Sequence, residues 1–262
     1  MEREKILKQF EQEIEKITAC TVLDKLAQVQ QTGKPQTTDF LDPFQQRVAD
    51  RVLHHFKDIK QVVWGGYEAA ERARLMVFSA VKQATVNDVP LAFLAANAPA
   101  QASGLSHRDW LGALLGLGLR REKVGDIIVT SETSAQVVVH PELLNFLLAN
   151  WQQIAKYNLE LCEITAAELS PTVGRVREIK TTVASLRLDA VASCGFGLSR
   201  SKLTPAIRAG HVKLNWQSVK SASAAIKEGD VIAVSGRGRV EVAQVLGQSK
   251  KGRIQLLLKK HL

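Results

Sequence analysis

Between Ser199 and Lys220 the chain sets cations, hydroxyls and an amide at spacings that suit the binding of phosphates. Ser199-Arg200-Ser201-Lys202 opens a short helix, Gly210 ends it, and His211-Val212-Lys213-Leu214-Asn215 follows as a strand. On that helix Leu203 and Ile207 lie one turn apart and face inward, while Arg200 and Arg208 fall within roughly 80° of each other on another side. Lys202 points away from that pair. In the strand, Val212 and Leu214 turn to the core, so His211, Lys213 and Asn215 take the opposite face. Two guanidinium groups, further cations, the Ser199 and Ser201 hydroxyls and the free amides of a helix N-terminus are phosphate donors.

The charge distribution supports this. Residues 175–262 hold 17 Lys and Arg against 5 Asp and Glu, a balance of +12, whereas residues 1–174 hold 18 against 21, a balance of −3. Asp189, Glu178, Glu228, Asp230 and Glu241 are too few to neutralise the basic module, so a partner must supply the anions. A short helix pair followed by a small sheet, without a long recognition helix, suits irregular RNA better than a DNA major groove. About five neutralised phosphates would give log K a slope of roughly −3 to −5 against log salt.

The elements that position these residues follow from periodicity. At 262 residues the chain has room for two or three units. Ile6, Phe10, Ile14 and Ile17 recur at helical spacing ahead of Gly33-Lys34-Pro35, which predicts one amphipathic helix. Asp42 before Pro43 reads as an N-cap, with Phe44, Val48, Val52 and Phe56 at four-residue steps behind it. Short β-type runs follow at residues 62–64, 75–78, 91–95, 126–129, 136–139 and 159–164, with helices at 107–119 and 141–155 between them. This grouping predicts an α+β sandwich of ferredoxin or RNA-recognition-motif (RRM) layout. Gly112, Gly116 and Gly118 are expected to let the first of those helices sit close to the sheet. Ser170-Pro171-Thr172-Val173-Gly174 reads as a linker. Beyond it, Ser185 is expected to cap a helix from Leu186 to about Cys194, broken by Gly195-Phe196-Gly197, and Ser199 to cap the next. Strands are expected at 211–215, 231–234, 240–245 and 254–258.

The predicted organisation is therefore a helical region at 1–60, a central RRM-like α+β domain at 61–169, a linker and lead-in strand at 170–182, and a basic RNA-binding domain at 183–262. Cys20, Cys162 and Cys194 are scattered, with no spacing for zinc or a disulfide frame. The charged residues 1–5 lack a signal-peptide pattern, and the uncharged stretch from Val89 to Ser106 is interrupted by Pro90, Asn97 and Pro99, so neither secretion nor a membrane span is expected.

Catalytic alternatives find little support. His54 and His55 are neighbours on a helix and point roughly 100° apart, a poor pair for one metal. Glu68, Glu71, Arg72 and Arg74 follow a double glycine and could form an acid/base site, but charges one turn apart are more often structural. Cys194 reads as a small packing residue. Gly195-Phe196-Gly197 joins two helices and so is no nucleotide loop. No catalytic residue, metal or cofactor is expected.

Leu186-Arg187-Leu188-Asp189-Ala190-Val191, Leu198 to Lys202, Ile207 to Asn215, and Glu228-Gly229-Asp230-Val231-Ile232 with Gly236-Arg237-Gly238 resemble the αL RNA-binding motif, the S4 domain. Gly65-Gly66-Tyr67-Glu68-Ala69-Ala70-Glu71-Arg72, Gly118 to Ile127, and Asp39-Phe40-Leu41-Asp42-Pro43 extend the likeness to the YlmH family, whose photosynthetic members are labelled photosystem II S4 domain proteins. The resemblance implies an RNA-binding factor associated with the large ribosomal subunit, touching rRNA and in some relatives tRNA, without catalysis. It implies a cytoplasmic or plastid-stromal place and a monomer. Arg200, Lys202, Arg208 and Lys213 carry over as RNA contacts, and Arg187, Ser199, Ser201, His211, Asn215 and Lys220 complete the candidate set. Two other classes stand beside this reading. One is a photosystem assembly factor with a photosystem-related partner. The other is a pseudouridine-synthase-like enzyme, in which Arg187-Leu188-Asp189 would mimic the catalytic setting; its place inside the binding motif's first helix speaks against that.

Overall fold

The computed structural model describes residues 2–171, 176–249 and 252–261. It divides into two units at Thr172/Val173. Thr172, Val173 and Gly174 of the expected linker lie outside the described residues.

The first unit begins with α1 (Glu2–Leu7) and α2 (Glu13–Thr32). The expected single helix is thus two, because the chain breaks after Leu7 and re-enters a helix at Glu13. The side chain of Glu15 there accepts from the Gln12 amide at 3.2 Å. The break changes the buried stripe. Ala19, Val22, Leu23, Leu26 and Val29 face the core, while Ile14 and Ile17 are 42% and 55% exposed. Next come β1 (Gln36–Leu41) and α3 (Pro43–Leu53). Asp42 caps α3 as expected, accepting from the Gln45 amide at 2.9 Å, and Val48 and Val52 are buried.

Strands β2 (Ile59–Trp64) and β3 (Ala73–Ser79) form an antiparallel sheet with β1 in the order β1-β3-β2. These two strands, grouped by the sequence reading with the central sheet, belong instead to a sheet with β1. The strand β1, Gln-Thr-Thr-Asp-Phe-Leu, is too polar to announce itself. Thr38 is fully buried all the same, and its hydroxyl accepts from the Leu75 amide at 3.1 Å.

The central elements are β4 (Ala92–Asn97), α4 (His107–Gly116), β5 (Val124–Val129), β6 (Ser134–Val139), α5 (Leu144–Asn150), the short pair β7 (Gln153–Ile154) and β8 (Tyr157–Asn158), and β9 (Glu160–Ile164). Their sheet runs β5-β6-β4-β9, all antiparallel. Counting only those four strands, the chain order is β-α-β-β-α-β with the first and third strands in the middle, which is the expected ferredoxin or RRM layout. Trp110, Leu114, Leu147 and Trp151 fill the core beneath it, the two indoles edge to face at 6.0 Å. The three glycines expected in the helix α4 do not serve close packing, and Gly118 falls beyond its end. A Cβ on Gly112, Gly116 or Gly118 would meet nothing within 4 Å, so they face open space.

The second unit is a six-stranded antiparallel sheet covered by two helices. It comprises β10 (Val176–Val183), α6 (Leu188–Phe196), α7 (Arg200–Arg208), β11 (Val212–Leu214), β12 (Gln217–Ser218), β13 (Val231–Val234), β14 (Gly238–Gln248) and β15 (Ile254–His261), in the order β10-β15-β14-β13-β11-β12. The first helix starts two residues later than expected, with Arg187 as N-cap. It runs through Gly195 and Phe196 and stops at Gly197, whose φ of 64° is left-handed. Gly195 is required by packing: a Cβ there would stand 2.8 Å from Val240 Cγ1. Leu188, Val191, Leu203, Ile207, Val212, Ile232, Val240, Val242, Leu256 and Leu258 make the core.

Candidate nucleic-acid interface

The candidate interface is built outward from α7. Leu203 and Ile207 are fully buried and seat the helix on the sheet, so its remaining face must meet solvent. Arg200, Lys202 and Arg208 are exposed there. Ser199 is the N-cap, and its hydroxyl bonds the Ser201 hydroxyl at 2.9 Å instead of a helix amide. At the far end Gly210 adopts a φ of 76°, and the His211 amide returns to Ala206 O at 2.9 Å. This turns the chain into β11. The Ser218 hydroxyl donates to Gly210 O at 3.2 Å and the Val219 amide to Val212 O at 3.2 Å. These bonds bring the end of β12, and with it exposed Lys220, beside the turn that carries exposed His211.

Lys213 is exposed between buried Val212 and half-buried Leu214. Since α7 packs on the face of Val212 and Leu214, alternation sends Lys213 to the other face of the sheet. The cations therefore occupy two aspects of the module rather than one plane.

Two expected contacts are committed internally. Arg187 forms a fork on Asp189, with Nε to Oδ1 at 3.1 Å and Nη2 to Oδ2 at 3.4 Å, so its charge is matched by a nearly buried carboxylate. Asn215 donates to Asp230 Oδ1 at 2.7 Å and accepts from the Val231 amide at 2.9 Å. Its amide holds the β11 turn to β13 and is not presented to a ligand.

Other carboxylates are engaged as well. Asp230 also accepts from the Lys227 amide at 2.7 Å, and Glu228 from the Val245 amide at 2.8 Å. Among the described residues no ion pair involves Arg200, Lys202, Arg208, His211, Lys213 or Lys220.

The charged residues after the double glycine of the first unit have a different task. Asp126 accepts from Tyr67 Oη at 2.7 Å, the Glu71 amide at 2.7 Å and the Arg72 amide at 3.0 Å. Arg72 donates to Val124 O at 3.1 Å and Phe40 O at 3.0 Å. Arg74 donates to Thr38 O at 2.8 Å and also to Pro90 O. Burial raises the Asp126 carboxyl, against the hydrogen bonds from Tyr67 and Arg72 that lower it. Burial, with Arg72 nearby, brings Arg121 down to about 10. These groups clamp the β1-β3-β2 sheet to the central one.

The central sheet's face away from its helices is the surface on which an RRM stacks bases. Here the chain covers part of it, at Phe93 and Gln136. A Cβ on Gly66 would lie 2.7 Å from Phe93 Cε1, so the backbone itself rests on that ring. Gln136 donates to Glu168 O at 2.8 Å and accepts from the Ser170 amide at 2.7 Å. Among the described residues no cluster of His, Cys, Asp or Glu could hold a metal ion, and no helix is long and apolar enough to cross a membrane.

Three family descriptions match the chain in order: "YlmH, N-terminal" over residues 12–80, "Putative RNA-binding domain in YlmH" over residues 85–168, and "S4 domain" over residues 186–232. "Ribosome-associated protein quality control protein P2" of Bacillus subtilis is 34% identical over 223 residues, covering 85% of this chain and 86% of its own length. "Cell division protein ylmH from Streptococcus pneumoniae" shares the fold with a TM-score of 0.52 at 19% identity, across 61% of this chain and 96% of that one. With a relative of that identity aligned over most of both chains and three matched regions in the same order, the chain belongs to the YlmH family.

Proposed function

We propose that the chain is a non-enzymatic RNA-binding protein that grips RNA of the large ribosomal subunit, or tRNA held there, through α7 and the turn that follows it. The observation that carries the reading is the state of Arg200, Lys202 and Arg208. They stand exposed on a helix whose other side is fully buried, and no carboxylate pairs with them among the described residues. Cations presented in this way gain most from a polyanion, because neutralised phosphates release their condensed counter-ions.

The relative from Bacillus subtilis carries "ribosome-associated" and "quality control" in its name, and a task on the ribosome during translation is the corresponding reading for this chain. Neither the matched families nor the relatives named above mention a photosystem. In this reading residues 183–262 are the RNA-binding body and act as a monomer in the cytoplasm. The polar groups at Asp126 are consumed by structure, which supports a role without chemistry at that place. Co-sedimentation with purified large subunits tests the proposal. Arg200→Ala/Arg208→Ala should lose the subunit while keeping its melting temperature; undiminished co-sedimentation would reject the surface.

A further inference from the structure

Two neighbouring rows of the second unit's sheet handle charge in opposite ways. In the register of β10, β15 and β14, Glu178 stands opposite Lys259, and Lys259 opposite Glu241. A cation there lies between two carboxylates, the arrangement that cross-strand pairing favours. One step along the same strands, Arg177 stands opposite Lys260, and Lys260 opposite buried Val240. Like charges directly opposite one another repel and cost stability. Among the described residues no carboxylate forms an ion pair with Arg177 or Lys260. The repulsion is therefore not offset within the described part of the module.

Buried neighbours decide which face this second row takes. Leu256 and Leu258 turn to the core shared with α6 and α7, so alternation puts Lys260 on the helix-bearing face and its partner Arg177 with it. Glu178, Lys259 and Glu241 take the opposite face. The Lys260 ammonium stands 5.7 Å from the centroid of the Phe196 ring, which sets it beside the last residue of α6. An aromatic ring can hold an ammonium there without neutralising its charge. Arg177 is exposed. From Phe196 the chain reaches Arg200, the first residue of α7, within four residues, a span of at most about 15 Å. The cation pair thus lies close to the start of α7. Both of its members fall outside residues 186–232, the stretch matched as an S4 domain.

We propose that Arg177 and Lys260 hold phosphates of the same RNA that α7 binds, so that the RNA-binding surface continues past the S4 motif onto β10 and β15. A phosphate between the two cations turns their repulsion into two charge-assisted contacts. The proposal rests on the RNA-binding reading above. Fluorescence anisotropy with a labelled RNA hairpin, over a series of salt concentrations, separates the two claims. Arg177→Gln/Lys260→Gln should weaken binding about tenfold and make the slope of log K against log salt shallower by about 1 to 2. It should melt no lower than the parent, since the repulsion is gone. Lys259→Gln removes the same charge as Lys260→Gln from the other face of the sheet, and should change affinity less than about twofold, against about threefold or more for Lys260→Gln. Arg177→Lys/Lys260→Arg should bind like the parent. Parent-like binding by the double glutamine variant, with Arg200→Ala/Arg208→Ala impaired, overturns the extension and leaves the RNA-binding reading intact. Equal losses in Lys259→Gln and Lys260→Gln reduce the effect to net charge and also overturn it. A lower melting temperature for the double glutamine variant contradicts the repulsion and overturns it as well. If the parent protein does not bind the hairpin, both claims fall.

Discussion

Arg187 and Asp189 form a two-bond fork, at 3.1 and 3.4 Å, across the first turn of α6. The carboxylate is nearly buried, while the guanidinium is about half exposed. The pair withdraws one cation from the proposed interface and fixes the start of the helix. Arg187→Ala should therefore destabilise the protein by about 1 to 3 kcal/mol, by stranding Asp189, and lower RNA affinity less than Arg200→Ala does. Denaturant melts together with binding titrations check both halves.

The Asp126 clamp predicts the same pattern in the first unit. Asp126→Ala deprives the Tyr67 hydroxyl and the Glu71 and Arg72 amides of their acceptor. A loss of about 2 to 4 kcal/mol is expected for the first unit, at about 1 to 3 kcal/mol per stranded buried group with partial rescue by water. RNA affinity at a temperature where the protein is folded should not change.

Stability should fall in mild acid through His140. Burial, with Arg74 and Lys123 nearby, holds its imidazole below the ordinary histidine value, and its Nδ1 accepts from the Glu142 amide at 3.3 Å. Because the folded value is the lower one, the unfolded chain takes up the proton first. The stabilisation is present above about pH 6.5 and is lost as pH falls from there toward the folded value. Urea titrations at pH 7.5 and 5.5 should show the loss, and His140→Gln should reduce it.

Gly195 predicts a packing defect. A Cβ would lie 2.8 Å from Val240 Cγ1 and 3.0 Å from its Cγ2. Gly195→Ala should cost about 1 to 3 kcal/mol in a differential scanning measurement, whereas Gly112→Ala, in open space on α4, should stabilise by about 1 kcal/mol.

The sequence told most where pattern and packing agree. Alternation in Val212-Lys213-Leu214 and one-turn spacing of Leu203 and Ile207 gave the orientation of the basic module, because each buried side chain forces its neighbours outward. Asp42-Pro43 marked a helix start through a local hydrogen bond. The strand β1 was illegible because its burial of Thr38 depends on a partner strand far along the chain. The commitment of Arg187 and Asn215 was equally hidden, since a charged or amide side chain looks alike in sequence whether its partner is a ligand or a neighbour. Ile14 and Ile17 misled by continuing an apolar period across a break.

The central claim is most directly tested by the salt dependence of RNA binding. For the parent protein, log K against log salt should have a slope of roughly −3 to −5, and Arg200→Ala/Arg208→Ala should make it shallower by about 2, one unit per lost phosphate contact. An identical slope in the two proteins would contradict the assignment of α7 as the surface that holds RNA.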